Sequence, residues 1–341
     1  MKMFHITHPG GLDALRAVTG NEPRCGSHDV IVEMKAWSLN YRDLAMPHGG
    51  YIANDKVKKN PPLVPLSDGA GEVVAVGDAV TKWKVGDRVA GCFFQDWIDG
   101  ELTRSQISTA LGGAIDGVLA ERVALPEHGL VAIPGSFTFE QAATLPCAAV
   151  TAWQSLTCAQ TKPGQTVLLL GTGGVSVFAL QLAKSFGAKV IITSSSEEKL
   201  ERAKSLGADE TIHYPSHPEW QQEVLKLTAG EGVDHVLEVG GAGTLARSMA
   251  STRVSGTVSL IGILSNAAAD ANPSPLPALF NRLTIRGIYV GSRKMFEDMN
   301  RAIEVNQIKP VIDRSFSFDE TVDAYKHLQS AKHFGKVTIL A

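Results

Sequence analysis

The sequence predicts an α/β protein in which a doubly wound parallel sheet, covered by helices, is joined to a β-rich region. Three observations predict it. From about Thr166 onward, continuous apolar runs alternate with stretches of helical period. A glycine cluster, Gly171-Thr172-Gly173-Gly174, separates the first such run from the first such helix. Upstream, from about Val30 to Leu125, the pattern is instead short β-type runs broken by Gly, Pro and Asp.

In the upstream region, residues 30–34, 72–77 and 88–90 read as strands. Turns at Gly77-Asp78 and Gly86-Asp87 separate them, as in a compact, barrel-like β region. The run Val167-Leu168-Leu169-Leu170 suits a strand buried on both faces. After the glycines, Val175, Ala179, Leu182, Ala183 and Phe186 recur at helical spacing, and Gly187 ends the helix. Residues 189–192 form the next strand. Ser195-Ser196-Glu197-Glu198 fits a capping box that opens a helix to about Leu206. Strands follow at 235–239 and 257–261. The proline-rich stretch 271–277 reads as a loop and 284–290 as strand-like. The tail from Arg293 carries helix and strand patterns of its own.

Composition narrows the function. The 341 residues suit two domains, and 44% apolar with 20% charged residues is ordinary for a globular chain. Net charge is −3 with no Lys/Arg block, which argues against a nucleic-acid partner. No apolar run approaches the ~20 residues that cross a bilayer, so no membrane role is expected. Polar and turn residues follow Met1-Lys2-Met3-Phe4-His5 at once, which points to the cytoplasm. Cys25, Cys92, Cys147 and Cys158 form no C-x-x-C pair, so neither a disulfide framework nor a thiolate zinc knuckle is expected.

A strand, a glycine turn and a helix in succession are the signal for dinucleotide binding. Gly171 allows the tight turn, and Gly173 lets backbone approach a pyrophosphate. The helix start at Gly174 and Val175 then offers free N–H groups to the anion, beside Thr172. The third glycine of the usual spacing falls on Ser176, small enough for close helix–strand packing. NAD sites usually carry an acid at the end of the second strand; here that strand ends Thr193-Ser194-Ser195. An acid would repel a 2′-phosphate, whereas Ser194, Ser195 and the nearby Lys199 would bind it. NADP(H) is therefore expected over NAD(H).

These residues resemble the medium-chain dehydrogenase/reductase superfamily over nearly the whole chain. The resemblance rests on Asp68-Gly69-Ala70-Gly71-Glu72-Val73-Val74-Ala75-Val76-Gly77, Gly86-Asp87-Arg88-Val89, Gly171-Thr172-Gly173-Gly174-Val175 and His333-Phe334-Gly335-Lys336-Val337. It implies a GroES-like catalytic domain from residues 1–148 and 292–341, with a Rossmann cofactor domain, 149–291, inserted between. It also implies a homodimer formed through edge strands, here near residues 285–290. Tyr214 and Lys199 match positions that contact a 2′-phosphate in NADP-using relatives. Gly240, with Gly241, falls at the ring-binding rim; Gly262, Ser292 and Arg293 match later cofactor contacts.

Zinc alcohol dehydrogenases of this superfamily hold their catalytic metal with a Cys, a His-Glu pair and a second Cys or Asp. Those positions fall here on Asn40, Ser67-Asp68 and Cys147. One thiol with Asn and Ser is not a credible zinc shell, and only Cys92 lies near the structural zinc lobe. A zinc-free branch is implied, with no metal ligands. Without a Lewis acid, the accessible chemistry is hydride transfer to a quinone or an enone, whose own conjugated oxygen takes the charge. Asn40 matches the active-site Asn of zinc-free quinone oxidoreductases, and Thr151 the residue under the nicotinamide ring. Tyr41 is either a proton donor and oxygen clamp or a packed aromatic. Arg42 and Asp43 read as a structural ion pair. Where quinone oxidoreductases carry a Tyr further along this loop, this chain has Ala45. The stretch 95–117 and its neighbours Phe93, Phe94 and Trp97 form either an aromatic wall for substrate or a packed lobe. The leading expectation is an NADP(H)-dependent reductase of conjugated carbonyl, quinone or enone substrates. A zinc-independent alcohol or aldehyde dehydrogenase and a non-catalytic NADPH-binding protein are the alternatives.

Overall fold

The computed structural model describes residues 1–49, 62–262, 264 and 273–341. It divides into two compact units: Met1–Val150 with Val290–Ala341, and Thr151–Tyr289. The strands, in chain order, are β1 (Lys2–Ile6), β2 (Leu15–Thr19), β3 (Asp29–Leu39), β4 (Asp68–Val76), β5 (Arg88–Gly91), β6 (Arg122–Pro126), β7 (Leu130–Ala132), β8 (Thr166–Leu169), β9 (Lys189–Ser194), β10 (Glu210–His213), β11 (Val233–Glu238), β12 (Thr252–Leu260), β13 (Thr284–Gly287), β14 (Ile312–Ser317) and β15 (Lys336–Leu340).

In the inserted unit the sheet order is β10-β9-β8-β11-β12-β13, with every pairing parallel. This is the Rossmann arrangement. Strand order reverses between β8 and β11, and ligands of such sheets bind outside the carboxyl ends at that point. The continuous apolar strands are explained by burial on both faces: Leu168, Ile191, Val236 and Val258 all lie in one core with Ile212, Trp220 and Val224. Helix Gly174–Ser185 follows β8 as its period requires, and Gly187, at φ +78°, ends it in the left-handed conformation.

Three local expectations change. Ser196, not Ser195, caps helix Glu197–Ser205, accepting the Lys199 N–H; the third helical position is then Lys199, which has no carboxylate to complete a capping box. In the proline-rich stretch, Ala271 and Asn272 lie outside the described residues, while Leu276 and Pro277 open a short helix, Leu276–Phe280. Proline is tolerated there because the first turn's N–H groups have no intrahelical partner. Finally, β13 stops at Gly287, and Val290 sits at φ +58°, which a β-branched residue does not adopt inside a strand.

The outer unit is built on a second sheet, ordered β14-β15-β3-β4-β5-β7, with β6 also paired to β3. The long strand β3 is its spine. It runs antiparallel to β4, with Ser38 opposite Asp68, and antiparallel to β15, with Leu39 opposite Val337. Trp37, fully buried, packs against Phe318 at 5.0 Å in the core beneath. This is the GroES-like, β-rich domain, and the chain as a whole is α/β. No helix among the described residues is long and apolar enough to cross a membrane.

Leu168 is fully buried at the centre of the parallel sheet. Leu168→Ala is expected to cost about 2–5 kcal/mol, read as a lowered unfolding transition of the inserted unit in calorimetry.

Candidate functional site

Residues from three strand ends meet in the outer unit. Asn40 directly follows β3, Asp68 opens β4 and Lys336 opens β15. One step beyond the Val337–Leu39 pair, the register brings Lys336 level with Asn40. Its ammonium donates to Asn40 Oδ1 at 2.6 Å and to the Leu39 carbonyl at 2.5 Å. Asn40 and Lys336 are buried, and Asp68 is completely so. The Asp68 carboxylate accepts the Ser67 hydroxyl at 2.7 Å and the Cys147 N–H at 3.2 Å. All four positions at which zinc relatives carry ligands therefore lie around one buried lysine.

Electrostatics tie the group together. Burial raises the Asp68 pKa, while Lys336, the Asn40 amide, Ser67 and the Cys147 N–H hold it down. Burial lowers the Lys336 pKa, against the pull of Asp68 first, then of Cys147 and Asp43. Burial, helped by the Asp68 charge, pushes the Cys147 thiol up, so it stays protonated.

The helix Tyr41–Ala45 begins beside this cluster. Asp43 accepts the Asn40 N–H at 2.7 Å, a capping contact that fixes the helix start. Arg42 and Asp43 do not form the expected direct ion pair. The guanidinium instead donates to the Leu111 carbonyl at 2.7 Å and lies 4.4 Å over the Phe93 ring. Asp43 is left buried, and burial pushes its pKa up to about 7 despite the Arg42 charge. Tyr41 is 41% exposed, so its ring is not buried in the core. Phe93, Phe94 and Trp97 are buried against one another, ring centroids 4.7 and 5.9 Å apart, and form a packed lobe. Cys92 beside them is buried, its pKa pushed up to about 12. All four cysteines are free, and no group of three or more His, Cys, Asp or Glu among the described residues is arranged to hold a metal.

In the inserted unit, the predicted cofactor residues gather at the carboxyl ends of the strands. Gly171 follows β8 closely at φ +69°, a turn that side chains other than glycine's seldom allow. Gly173 caps helix Gly174–Ser185, with open space where a Cβ would stand. Thr172 and Val175 flank it. Ser176, at the third-glycine position, donates to the Leu170 carbonyl at 2.7 Å and so closes the helix onto the strand. The Gly171 N–H donates to Thr193 Oγ1 at 3.2 Å. Where β9 ends, Ser194 is buried and the next residue, Ser195, exposed, while Tyr214 is exposed and its N–H donates to the Ser194 carbonyl at 3.1 Å. His213 also reaches this turn, with Nε2 3.1 Å from the Ser195 carbonyl. Lys199 lies in the first turn of the helix that Ser196 caps. Thr151 is buried in the first turn of helix Val150–Cys158.

Gly240 lies on a rim made by Glu238, which the sequence reading overlooked. Its Oε1 accepts the N–H groups of Gly240 and Gly241 at 2.6 and 2.8 Å and the Thr244 hydroxyl at 2.6 Å, and Oε2 accepts the Ser248 hydroxyl. An acid ending the short apolar run Val236-Leu237 was the available signal. Gly262 has a packing reason for being glycine: a Cβ there would stand 2.0 Å from the Val239 carbonyl oxygen. In the outer unit, Ser292 caps helix Arg293–Val305 by accepting the Met295 N–H. Arg293 donates to the His128 carbonyl at 3.0 Å in a recess with His28, Thr81, Lys82 and Glu127. Lys336 was quoted from the sequence only as part of a motif; its pairing with Asn40, 296 residues away, had no local signal.

Comparison with known proteins follows the same division. The family description "Alcohol dehydrogenase GroES-like domain" matches residues 26–135, and "Zinc-binding dehydrogenase" matches residues 174–305. A zinc-type alcohol dehydrogenase-like protein of Schizosaccharomyces pombe is 44% identical over 99% of both chains. The chain belongs to the medium-chain dehydrogenase/reductase superfamily. A 2-methylene-furan-3-one reductase of Solanum lycopersicum is 32% identical, over 99% of this chain and 79% of that one. A solved structure of an NAD-dependent alcohol dehydrogenase superposes with a TM-score of 0.89 at 32% identity, covering all of both chains. As a medium-chain dehydrogenase/reductase, the protein is an oxidoreductase for which a pyridine nucleotide is the expected cofactor.

A raised carboxyl pKa favours the folded chain only where the acid is protonated in it. The Asp43 contribution therefore falls as pH climbs from about 4, the unfolded value, towards 7. Asp43→Asn keeps the acceptor for the Asn40 N–H and removes the titration. Its stability relative to the parent should rise between pH 4 and 7 in denaturant melts, and a flat difference would contradict the assignment.

Proposed function

We propose that this medium-chain dehydrogenase/reductase is a zinc-independent, NADP(H)-dependent reductase of small conjugated carbonyl, quinone or enone substrates. The observation that carries this reading is the lysine among the former ligand positions. A zinc shell needs deprotonated, uncommitted donors. Here Asn40 Oδ1 is bound by an ammonium, both Asp68 oxygens are engaged and the Cys147 thiol is held protonated. A dication placed there would also face the Lys336 charge. The residues present do not fit the metal.

They do fit a dinucleotide. Gly171, Thr172, Gly173, Gly174 and Val175 supply the turn and helix start for the pyrophosphate. Ser194, Ser195, Lys199 and Tyr214, with no acid at the end of β9, favour a 2′-phosphate. Gly240 and Thr151 are assigned to the nicotinamide end, and Gly262, Ser292 and Arg293 to further contacts. When bound, the reduced nicotinamide supplies the hydride. Asn40 offers an N–H to the substrate oxygen that gains charge, and the exposed Tyr41 hydroxyl supplies or steadies the proton. The tomato relative, named as a reductase of a conjugated ketone, supports this substrate class. The yeast relative's name and the NAD-dependent neighbour favour a second reading, a zinc-independent alcohol or aldehyde dehydrogenase.

Fluorescence titration of metal-analysed protein should give NADPH a dissociation constant about tenfold or more below that of NADH, with zinc well below stoichiometric. Enones and quinones should then consume NADPH while simple aldehydes do not. Preference for NADH with turnover of simple aldehydes would favour the dehydrogenase reading, and one zinc per chain would overturn both.

A homodimer through the β13 edge is the companion proposal. Among the described residues β13 pairs only with β12, all its residues are exposed, and Ile285, Tyr289, Leu279 and Phe280 leave exposed apolar surface on and near it. Ile285→Lys is expected to shift the protein from dimer to monomer in sedimentation velocity.

A further inference from the structure

A primary amide has two unlike ends: its oxygen accepts and its NH2 donates. In Asn40 the oxygen is taken by the Lys336 ammonium, which the Leu39 carbonyl also holds. Both backbones are set by the register of β15 on β3. Turning the amide over would place NH2 against an ammonium, two buried donors face to face, and would take an acceptor from Lys336. Charge therefore fixes which way the amide points. The other end is left open. Asn40 Nδ2 is buried with no hydrogen-bond acceptor among the described residues. The Asp68 carboxylate is near enough for this group to lower its pKa, but the two make no well-formed hydrogen bond, and Asp68 already takes the Ser67 hydroxyl and the Cys147 N–H. Buried donors nearly always have partners. One left without, directly before the exposed Tyr41, is suited to an acceptor that arrives with the substrate.

We propose that Lys336 is a positioning residue for the reductase: its ammonium anchors the Asn40 carbonyl and so presents the Asn40 NH2 to the substrate oxygen. This rests on the role given to Asn40 above. The lysine itself touches no substrate; it acts through the amide. A cation is needed for this because a neutral donor would hold the oxygen less firmly than a charge-assisted bond does.

A double-mutant cycle tests it. Steady-state reduction of an enone such as 2-cyclohexenone by NADPH is measured for Lys336→Met, Asn40→Ala and the pair. NADPH affinity is followed by fluorescence. Each single change is expected to lower kcat about tenfold or more, by loss of an aimed donor, with NADPH affinity within about twofold of the parent. The pair should be no slower than the slower single variant, and Lys336→Arg, which keeps a buried cation, should recover part of kcat. Losses that multiply in the pair would mean that Lys336 acts independently of Asn40, and would overturn the proposal. A Lys336→Met enzyme as fast as the parent would overturn it too, while leaving the role of Asn40 intact. Unchanged kcat in Asn40→Ala would instead remove the underlying reading of Asn40. If Lys336→Met does not fold, Lys336→Gln, neutral and still a donor, is read in the same cycle with the same criteria.

Discussion

Everything distinctive in the outer unit depends on one contact, the hydrogen bond from the Lys336 ammonium to Asn40. It is the meeting point of three strands, because β3 ends at Asn40, β4 starts at Asp68 and β15 starts at Lys336. A charged amine costs much to bury alone. Here the cost is offset by two short hydrogen bonds and by the carboxylate across from it. The same contact decides which end of the Asn40 amide is free, and it sets a side-chain cation among the positions that the family resemblance aligns with metal ligands. An ammonium committed to protein acceptors does not polarise a carbonyl as zinc does.

The inserted unit depends on a different constraint, the strand-order reversal between β8 and β11. Both flanking strand ends are glycine turns, and each is fixed from behind. Ser176 bonds back to the Leu170 carbonyl, and Glu238 gathers the Gly240 and Gly241 amides with two hydroxyls. Neither serine nor glutamate has to touch a cofactor to matter. They set the backbone against which one would lie.

What could be read from the sequence was whatever has a short period or a local spacing. The β8–helix–β9 succession was legible because burial on both faces writes continuous apolar runs and the helix writes a 3.6-residue period. Asn40, Ser67, Asp68 and Cys147 could be found through their resemblance to ligand positions. Lys336 could not be assigned its place, since only the register of β15 on β3 sets it beside Asn40. The Arg42–Asp43 pair was misread for a similar reason: adjacency in sequence says little when a buried carbonyl and an aromatic ring claim the guanidinium. The start of the helix at Leu276 was missed because proline opens helices as well as interrupting them, and the end of β13 because the left-handed turn at Val290 leaves no mark in an apolar, β-branched sequence.

The division of the chain has a consequence for how the protein is made. The outer unit is interrupted at Val150 and resumed at Val290. β3 leaves the ribosome early, but its partner β15 follows only after the whole inserted unit, with Lys336 lying 297 residues beyond Leu39. Domains tend to fold as units during synthesis. The cofactor-type unit can thus be complete while Asn40 and Asp68 still lack their cation and β3 still has an open edge. During that interval the nascent chain holds the polar groups of the candidate site without the charge that orders them, so this cluster is among the last parts of the molecule to form.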